Sequence, residues 1–241
     1  MRLQNEFAEY INDWGNLRSG KLVLGGSNLY SSWVLPSLMN EFTQKFPLIQ
    51  LDLVEATTPR LEKMLQNGEI DLLLDNLEMD EHIFDRHLFR KEYLVLAVPK
   101  HLEINRRLKD FQISETSIRD LSFLDKSMPA VDLNLFADVP FILMKTGNAT
   151  RSNAMEICQQ YNFTPKILFE MDQQVTTYNI TCSGMGASFI SNTLINSVPS
   201  FPNVVFYKLC EEKSSRNLYF FWKKGRYLNK IMQEFLKSAN C

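Results

Sequence analysis

Two stretches of this chain alternate strand, helix, strand, helix, strand, and no other feature narrows its fold as far. In the first stretch, residues 21–24 are a short strand that runs into the pair Gly25-Gly26. Ser27 or Asn28 then caps one helix, carrying Trp33, Leu35, Leu38, Met39 and Phe42 to about Phe46, where Pro47 opens the next connection. Residues 48–54 are a second strand. Thr57 or Thr58 caps a helix with Leu61, Met64 and Leu65 on one face, and Asn67-Gly68 closes it. Ile70-Asp71-Leu72-Leu73-Leu74 is nearly all apolar, as a strand buried on both faces of a parallel sheet must be. In such a unit the ligand site is expected beyond the carboxyl ends of the strands, where Ser27 and Thr57 lie.

The second stretch repeats the pattern with a strand over 140–144, a helix with Met155, Ile157, Cys158 and Tyr161, a strand over 166–169, a helix over 175–182 and a strand over 187–190. The turn Ser183-Gly184-Met185-Gly186 leads into that last strand. An extended segment, 87–98, joins the two stretches and stops at Pro99, and residues 218–222 read as a late strand before a helix bearing Leu228, Ile231, Met232, Phe235 and Leu236. Residues 100–138 are polar and weakly periodic, with a short helix at 118–124. The first fifteen residues form an amphipathic helix with Phe7, Tyr10, Ile11 and Trp14 on one stripe. The expected architecture is therefore α/β, with two Rossmann-like subdomains joined by crossing strands: 20–99, completed by about 205–241, and 100–204. Residues 1–19 stand apart from both.

Composition excludes several functions. With 26 Lys+Arg against 28 Asp+Glu, the net charge of -2 lacks the basic excess by which nucleic-acid binding is driven. The four cysteines form no C-x-x-C pair, which leaves reduced thiols rather than a zinc site as the expectation. No apolar run near residue 1 resembles a signal peptide and none reaches a membrane span, so a soluble cytoplasmic protein without membrane partners is expected. The sequons at Asn148, Asn162 and Asn179 then have no glycosylation role. Catalysis has little support, because His82, His87 and His101 have no G-x-S-x-G elbow beside them and no phosphate-binding glycine loop follows a strand. Neither a cofactor nor a metal is expected.

Taken in order, these segments resemble the effector-binding domain of LysR-type transcriptional regulators over residues 20–238. The matching features are Gly20-Lys21-Leu22-Val23-Leu24-Gly25; Leu35-Pro36 followed by Phe42 and Phe46-Pro47; Glu55-Ala56-Thr57-Thr58 with Leu61, Leu65, Gly68 and Ile70-Asp71-Leu72; Pro140-Phe141-Ile142-Leu143; and residues 183–190. The resemblance implies a type 2 periplasmic-binding-protein fold. It also implies a homodimer or homotetramer, and DNA contact only through an N-terminal winged helix-turn-helix that these residues lack. The opening helix resembles the end of that family's linker helix, which implies a shortened regulator. Residues 105–138 are longer than the family pattern.

By the same resemblance, a small and more often anionic effector binds between the halves. Ser27, Asn28, Tyr30, Thr57 and Thr58 are the implied contacts in the first half, and Lys145, Thr146, Gly147, Thr150 and Met171 in the second. Five of them have a plainer role beside that one: capping for Ser27, Asn28, Thr57 and Thr58, and a solvated charge for Lys145. Two rivals share the fold. A transporter's solute-binding protein would carry a signal sequence or lipid-anchor cysteine. Asn148-Ala149-Thr150-Arg151 is similar to the Thr-Arg motif of prephenate dehydratases, although Ser152 stands where those enzymes have Phe.

Overall fold

The computed structural model describes residues 19–239. The helix expected from Phe7, Tyr10, Ile11 and Trp14 lies outside the described residues, as does Cys241. The chain divides into two compact units, one with the residues up to Arg90 and those from Asn217 onward, the other Lys91–Arg216.

In the first unit, strands β1 (Gly20–Gly26), β2 (Ile49–Glu55) and β3 (Leu72–Asp75) run parallel with β1 in the middle. Gly26 pairs with Glu55 on one side and with Leu74 on the other, so two strand exits lie side by side. All four residues of β3 are buried, as its apolar run requires. Strand β10 (Ser215–Lys223) joins β3 antiparallel, with Phe220 opposite Leu74. One helix is expected between β1 and β2, but the structure holds two, α1 (Asn28–Trp33) and α2 (Leu35–Lys45), parted at Val34. Pro36 causes the break: it has no N–H to donate, and its ring meets the carbonyl four residues back, so it is tolerated only in a first turn. That is its place in α2.

The glycine pair at the end of β1 permits close packing. A Cβ on Gly25 would stand 2.6 Å from Ile70 Cδ1, and one on Gly26 would stand 2.9 Å from Leu35 Cδ1 and from Ser31 Oγ. Helix α3 (Thr58–Asn67) ends on Gly68 at φ 76°, the left-handed cap expected from Asn67-Gly68. The terminal helix α10 (Lys230–Ala239) places Phe235 against Phe42 and Phe220, with ring centroids 5.3 and 5.8 Å away.

Strand β4 (Phe84–Pro99) carries the chain into the second unit and β10 brings it back. These crossings fall inside the two strands, at 90/91 and 216/217, and not at the strand ends near 99 and 204, because each strand continues unbroken through the change of unit. Burial along β4 changes there too. It alternates up to Arg90 and is unbroken from Glu92 to Pro99.

In the second unit β4 pairs antiparallel with β8 (Ser188–Ser191) and β9 (Val204–Lys208), and the two-residue β5 (Gln112–Ile113) joins β9. Strands β6 (Pro140–Met144) and β7 (Lys166–Met171) are a parallel pair. The expected third parallel strand reaches β6 only through Ala187, which receives Ile142 N–H and donates its own N–H to Pro140 O, each at 2.8 Å. Beyond Ala187 the chain turns to β4. Helices α6 (Ala149–Gln160) and α7 (Gln174–Cys182) follow β6 and β7, and the short helices α8 (Asn192–Ser197) and α9 (Glu211–Ser214) flank β9.

The polar 100–138 segment is more than a connection. It holds α4 (Ile104–Arg107), α5 (Glu115–Arg119) and three single 3-10 turns, so the helix expected at 118–124 is a helix ending at Arg119 and a separate turn at Ser122–Leu124. Leu108, Val131, Leu133 and Phe136 from this segment belong to the unit's main core with Leu96, Phe141 and Phe189. No described helix is long and apolar enough to cross a membrane.

Gly186 sets the distance between β6 and the segment entering β8, since a Cβ there would lie 2.6 Å from Pro140 O. Overpacking of this kind costs about 1–3 kcal/mol. Gly186→Ala is expected to lower the melting temperature by several degrees in a calorimetric scan, and a melting point equal to wild type would show that the backbone yields at no cost.

Candidate functional site

Ser27 occupies the N-cap position of α1 in extended conformation, and Thr57 does the same for α3. Their carbonyls accept the first helical bonds, from Ser31 N–H and from Arg60 and Leu61 N–H. Neither side chain makes a cap hydrogen bond. The two hydroxyls therefore stand at adjacent strand exits without the capping role that competed for them. Asn28 donates from Nδ2 to Glu55 Oε1 at 3.0 Å, which ties the β1 exit to the β2 exit.

Two of the expected contacts are committed elsewhere. Thr58 is buried and donates to Asp75 Oδ2 at 2.9 Å, while Asp75 Oδ1 accepts Leu77 N–H at 2.9 Å. Its hydroxyl locks the start of α3 to the end of β3. Tyr30 is 3 % exposed and its ring belongs to the core. The aromatic spacing of α1 could not separate a core ring from a lining one.

In the second unit the structure brings Lys145 and Met171 together, with Lys145 N–H donating to Met171 O at 2.9 Å. Lys145 Nζ pairs with Asp172 at 2.6 Å, both exposed, and Thr146 is exposed as well. Gly147 adopts φ 87°, with open space where its Cβ would be. Asn148 caps α6 by accepting Thr150 N–H on Oδ1 at 2.8 Å.

Thr150 opens a buried polar cluster that sequence reasoning missed. Its Oγ1 accepts from Arg216 Nη1 at 3.0 Å and from Gln174 Nε2 at 3.2 Å. Arg216 donates through Nε to Glu92 Oε2 at 2.7 Å, and its Nη2 lies 2.6 Å from the same oxygen. Gln174 Oε1 accepts Ser191 O–H at 2.7 Å, and Ser191 Oγ in turn caps α8. Glu92 and Arg216 each lie among polar residues in the sequence, Lys91 beside one and Ser215 and Asn217 beside the other. No periodicity distinguishes them from solvated charges. The Thr-Arg pair similar to the dehydratase motif is split between different tasks, because Arg151 pairs with Glu170 at 3.0 Å and donates to Met144 O.

His82 and His87 lie in the first unit and His101 in the second. His101 lines a cavity of about 370 Å³ with Lys100, Cys182, Ser183, Gly184 and Asn203. Burial pushes the Cys182 thiol up to about 11 and the Cys158 thiol up to about 12. Among the described residues no group of three His, Cys, Asp or Glu could hold a metal ion.

The family model described as LysR substrate binding domain matches residues 15–240. The chain belongs to the LysR substrate-binding-domain family. This LysR domain is 26% identical over 217 residues to an uncharacterized HTH-type transcriptional regulator, YcgK, of Bacillus subtilis (strain 168), a match covering 90% of the chain and 65% of the relative. It thus spans a little under two thirds of that relative's length. Among solved structures it is similar to the Synechocystis PCC6803 CcmR regulatory domain in complex with 2-PG, with TM-score 0.74, 20% identity, and 92% and 96% of the two chains covered. The effector binding domain of QuiR in complex with shikimate aligns with TM-score 0.72, 18% identity, and 92% and 95% covered. The LysR domain therefore has the type 2 periplasmic-binding-protein-like α/β fold expected from its sequence.

Two outcomes follow from the buried groups. Arg216→Met leaves Glu92 charged without its cation, so urea unfolding is expected to show a loss of about 3–5 kcal/mol, most of it recovered in Glu92→Leu/Arg216→Met. Only the thiolate reacts, so at pH 8 alkylation of Cys182, followed by peptide mass spectrometry, is expected to be roughly 100-fold slower in the folded chain than in the denatured one. Equal rates would show the thiol to be solvated.

Proposed function

We propose that this domain senses a small, anionic effector on behalf of a LysR-type transcriptional regulator. The observation that carries the reading is the pair of hydroxyls, Ser27 and Thr57, at neighbouring strand exits, which their own helices leave without cap bonds. A polar group held at the end of a buried parallel sheet, next to helix starts with unpaired N–H groups, suits an anion. Asn28 extends that surface. The second unit offers Lys145, Thr146, Gly147, Thr150 and Met171 around the start of α6, whereas Tyr30 and Thr58 are buried within the first unit.

The family match and the regulators among its relatives support a role in transcription. In this reading the whole protein contacts DNA through a winged helix-turn-helix, assembles as a homodimer or homotetramer and works in the cytoplasm. The domain itself performs no catalytic step and needs no cofactor. Structures of similar domains with 2-PG and shikimate make such compounds the first to try.

A thermal-shift screen against shikimate, benzoate, other small carboxylates and phosphate esters tests the reading, since a ligand that binds only the folded state adds about 2.7 kcal/mol at a hundred times its Kd. Ser27→Ala and Thr57→Ala are each expected to weaken the best ligand by about 5- to 10-fold, the worth of one hydrogen bond. Their melting points without ligand should match wild type, because no cap is lost. Equal affinity in both variants would remove these residues from the site, and a screen without any binder would overturn the sensing role.

A further inference from the structure

Around Thr150 the hydrogen bonds of the second unit all run toward the threonine oxygen. The Thr150 oxygen receives Arg216 Nη1–H and Gln174 Nε2–H, at 3.0 and 3.2 Å. A hydroxyl oxygen has two lone pairs, and both are taken. Neither partner can accept the threonine's proton in return. A guanidinium has no acceptor atom, and Gln174 must turn its NH2 toward Thr150 because its Oε1 accepts Ser191 O–H at 2.7 Å and Ser191 N–H at 3.4 Å. Among the described residues no acceptor for the Thr150 proton is found. Thr150 and Arg216 are both 7 % exposed, and groups so buried are nearly always satisfied. The missing acceptor has to come from outside the cluster.

Its chemistry follows from its place. Thr150 is the second residue of the twelve-residue helix α6, at the end where the helix dipole is positive. Asn148 Oδ1 already covers the Thr150 N–H, so the hydroxyl is the donor that residue has to offer. We infer that Thr150 is an obligate donor that sets effector specificity, taking an anionic oxygen of a carboxylate or phosphate, with Gln174 and Arg216 as the positioning residues that fix the direction of its proton. The inference rests on the sensing role proposed above and names the atom that selects the ligand. A carboxamide is disfavoured because its oxygen is the weaker acceptor and its NH2 would meet a group that cannot accept.

The test is an NMR titration of the ¹⁵N-labelled chain, following the Thr150 amide, with acetate, its neutral isostere acetamide, and inorganic phosphate in separate arms. Acetate or phosphate is expected to saturate the shift, with acetamide at least about 10-fold weaker, since charge-assisted bonds are roughly twice as strong. The two anion arms tell a carboxylate site from a phosphate site. Thr150→Ser should keep the preference and Thr150→Val should abolish it. Gln174→Met frees a lone pair on Thr150 and loosens the direction of its proton, so it should narrow the preference from both sides, weakening acetate while letting acetamide donate. That change of selectivity is one a merely structural glutamine would not produce, and it carries the test if Thr150→Val fails to fold. No saturable shift at Thr150, equal binding of acetate and acetamide, or an unchanged preference in Gln174→Met would overturn the inference. A screened carboxylate that binds Thr150→Val as tightly as wild type would overturn it too, leaving the sensing role intact. Selective anion binding at Thr150 with no binder among the screened effectors would support it, while the sensing role failed.

Discussion

Glu92 and Arg216 form the interaction on which the second unit's polar architecture depends. Both side chains are almost wholly buried, at 0% and 5% exposed, and each stands just inside the point where its strand enters or leaves the unit. Two charges taken from water lose several kcal/mol of hydration apiece, and their attraction offsets this only with close geometry and further hydrogen bonds. Here one guanidinium spends two nitrogens on a single carboxylate oxygen and a third on Thr150. A well-packed apolar pair would hold the strands as firmly. It could not orient a hydroxyl, and orientation is what the pair adds: Arg216 fixes one side of Thr150, Gln174 the other, and Ser191 fixes Gln174 while capping α8.

The elements of the fold were legible where burial imposes a period. The run from Ile70 to Leu74 and the stripe of α10 both appear in the structure as read, because each has one environment along its length. Legibility failed where the environment changes within a few residues. Between Lys100 and Asp138 short turns and the segments between them contribute scattered apolar side chains to the core, so Leu108, Val131 and Phe136 are buried although no helical or strand period connects them. A polar average concealed a core. The break at Val34 is different, since Pro36 was visible and its rule is local. The apolar spacing on both sides of it merely outweighed it.

At the strand exits, the sequence could not say which hydroxyls were spoken for. Ser27, Thr57 and Thr58 are chemically alike and each begins a helix. What separates them is Asp75, seventeen residues beyond Thr58, whose carboxylate takes the Thr58 hydroxyl and leaves that of Thr57 alone. The same limit hid Glu92 and Arg216. They are 124 residues apart, and only the pairing of distant strands turns two ordinary charges into one buried device. Side-chain commitments of this kind depend on long-range geometry, which composition and local pattern do not contain.

Three cations of the second unit near α6 are answered from within: Arg216 by Glu92, Arg151 by Glu170 and Lys145 by Asp172. A site arranged so has little net charge with which to attract an anion from a distance, in keeping with a chain whose 26 basic and 28 acidic residues nearly cancel. Its selectivity must then arise at contact, from donors whose direction is fixed in advance. Held donors are worth more than mobile ones, because the cost of ordering them is met during folding and not during binding. Thr150 fits that logic. Two neighbours occupy its oxygen, each is itself held by a third residue, and the proton is left to whatever acceptor arrives.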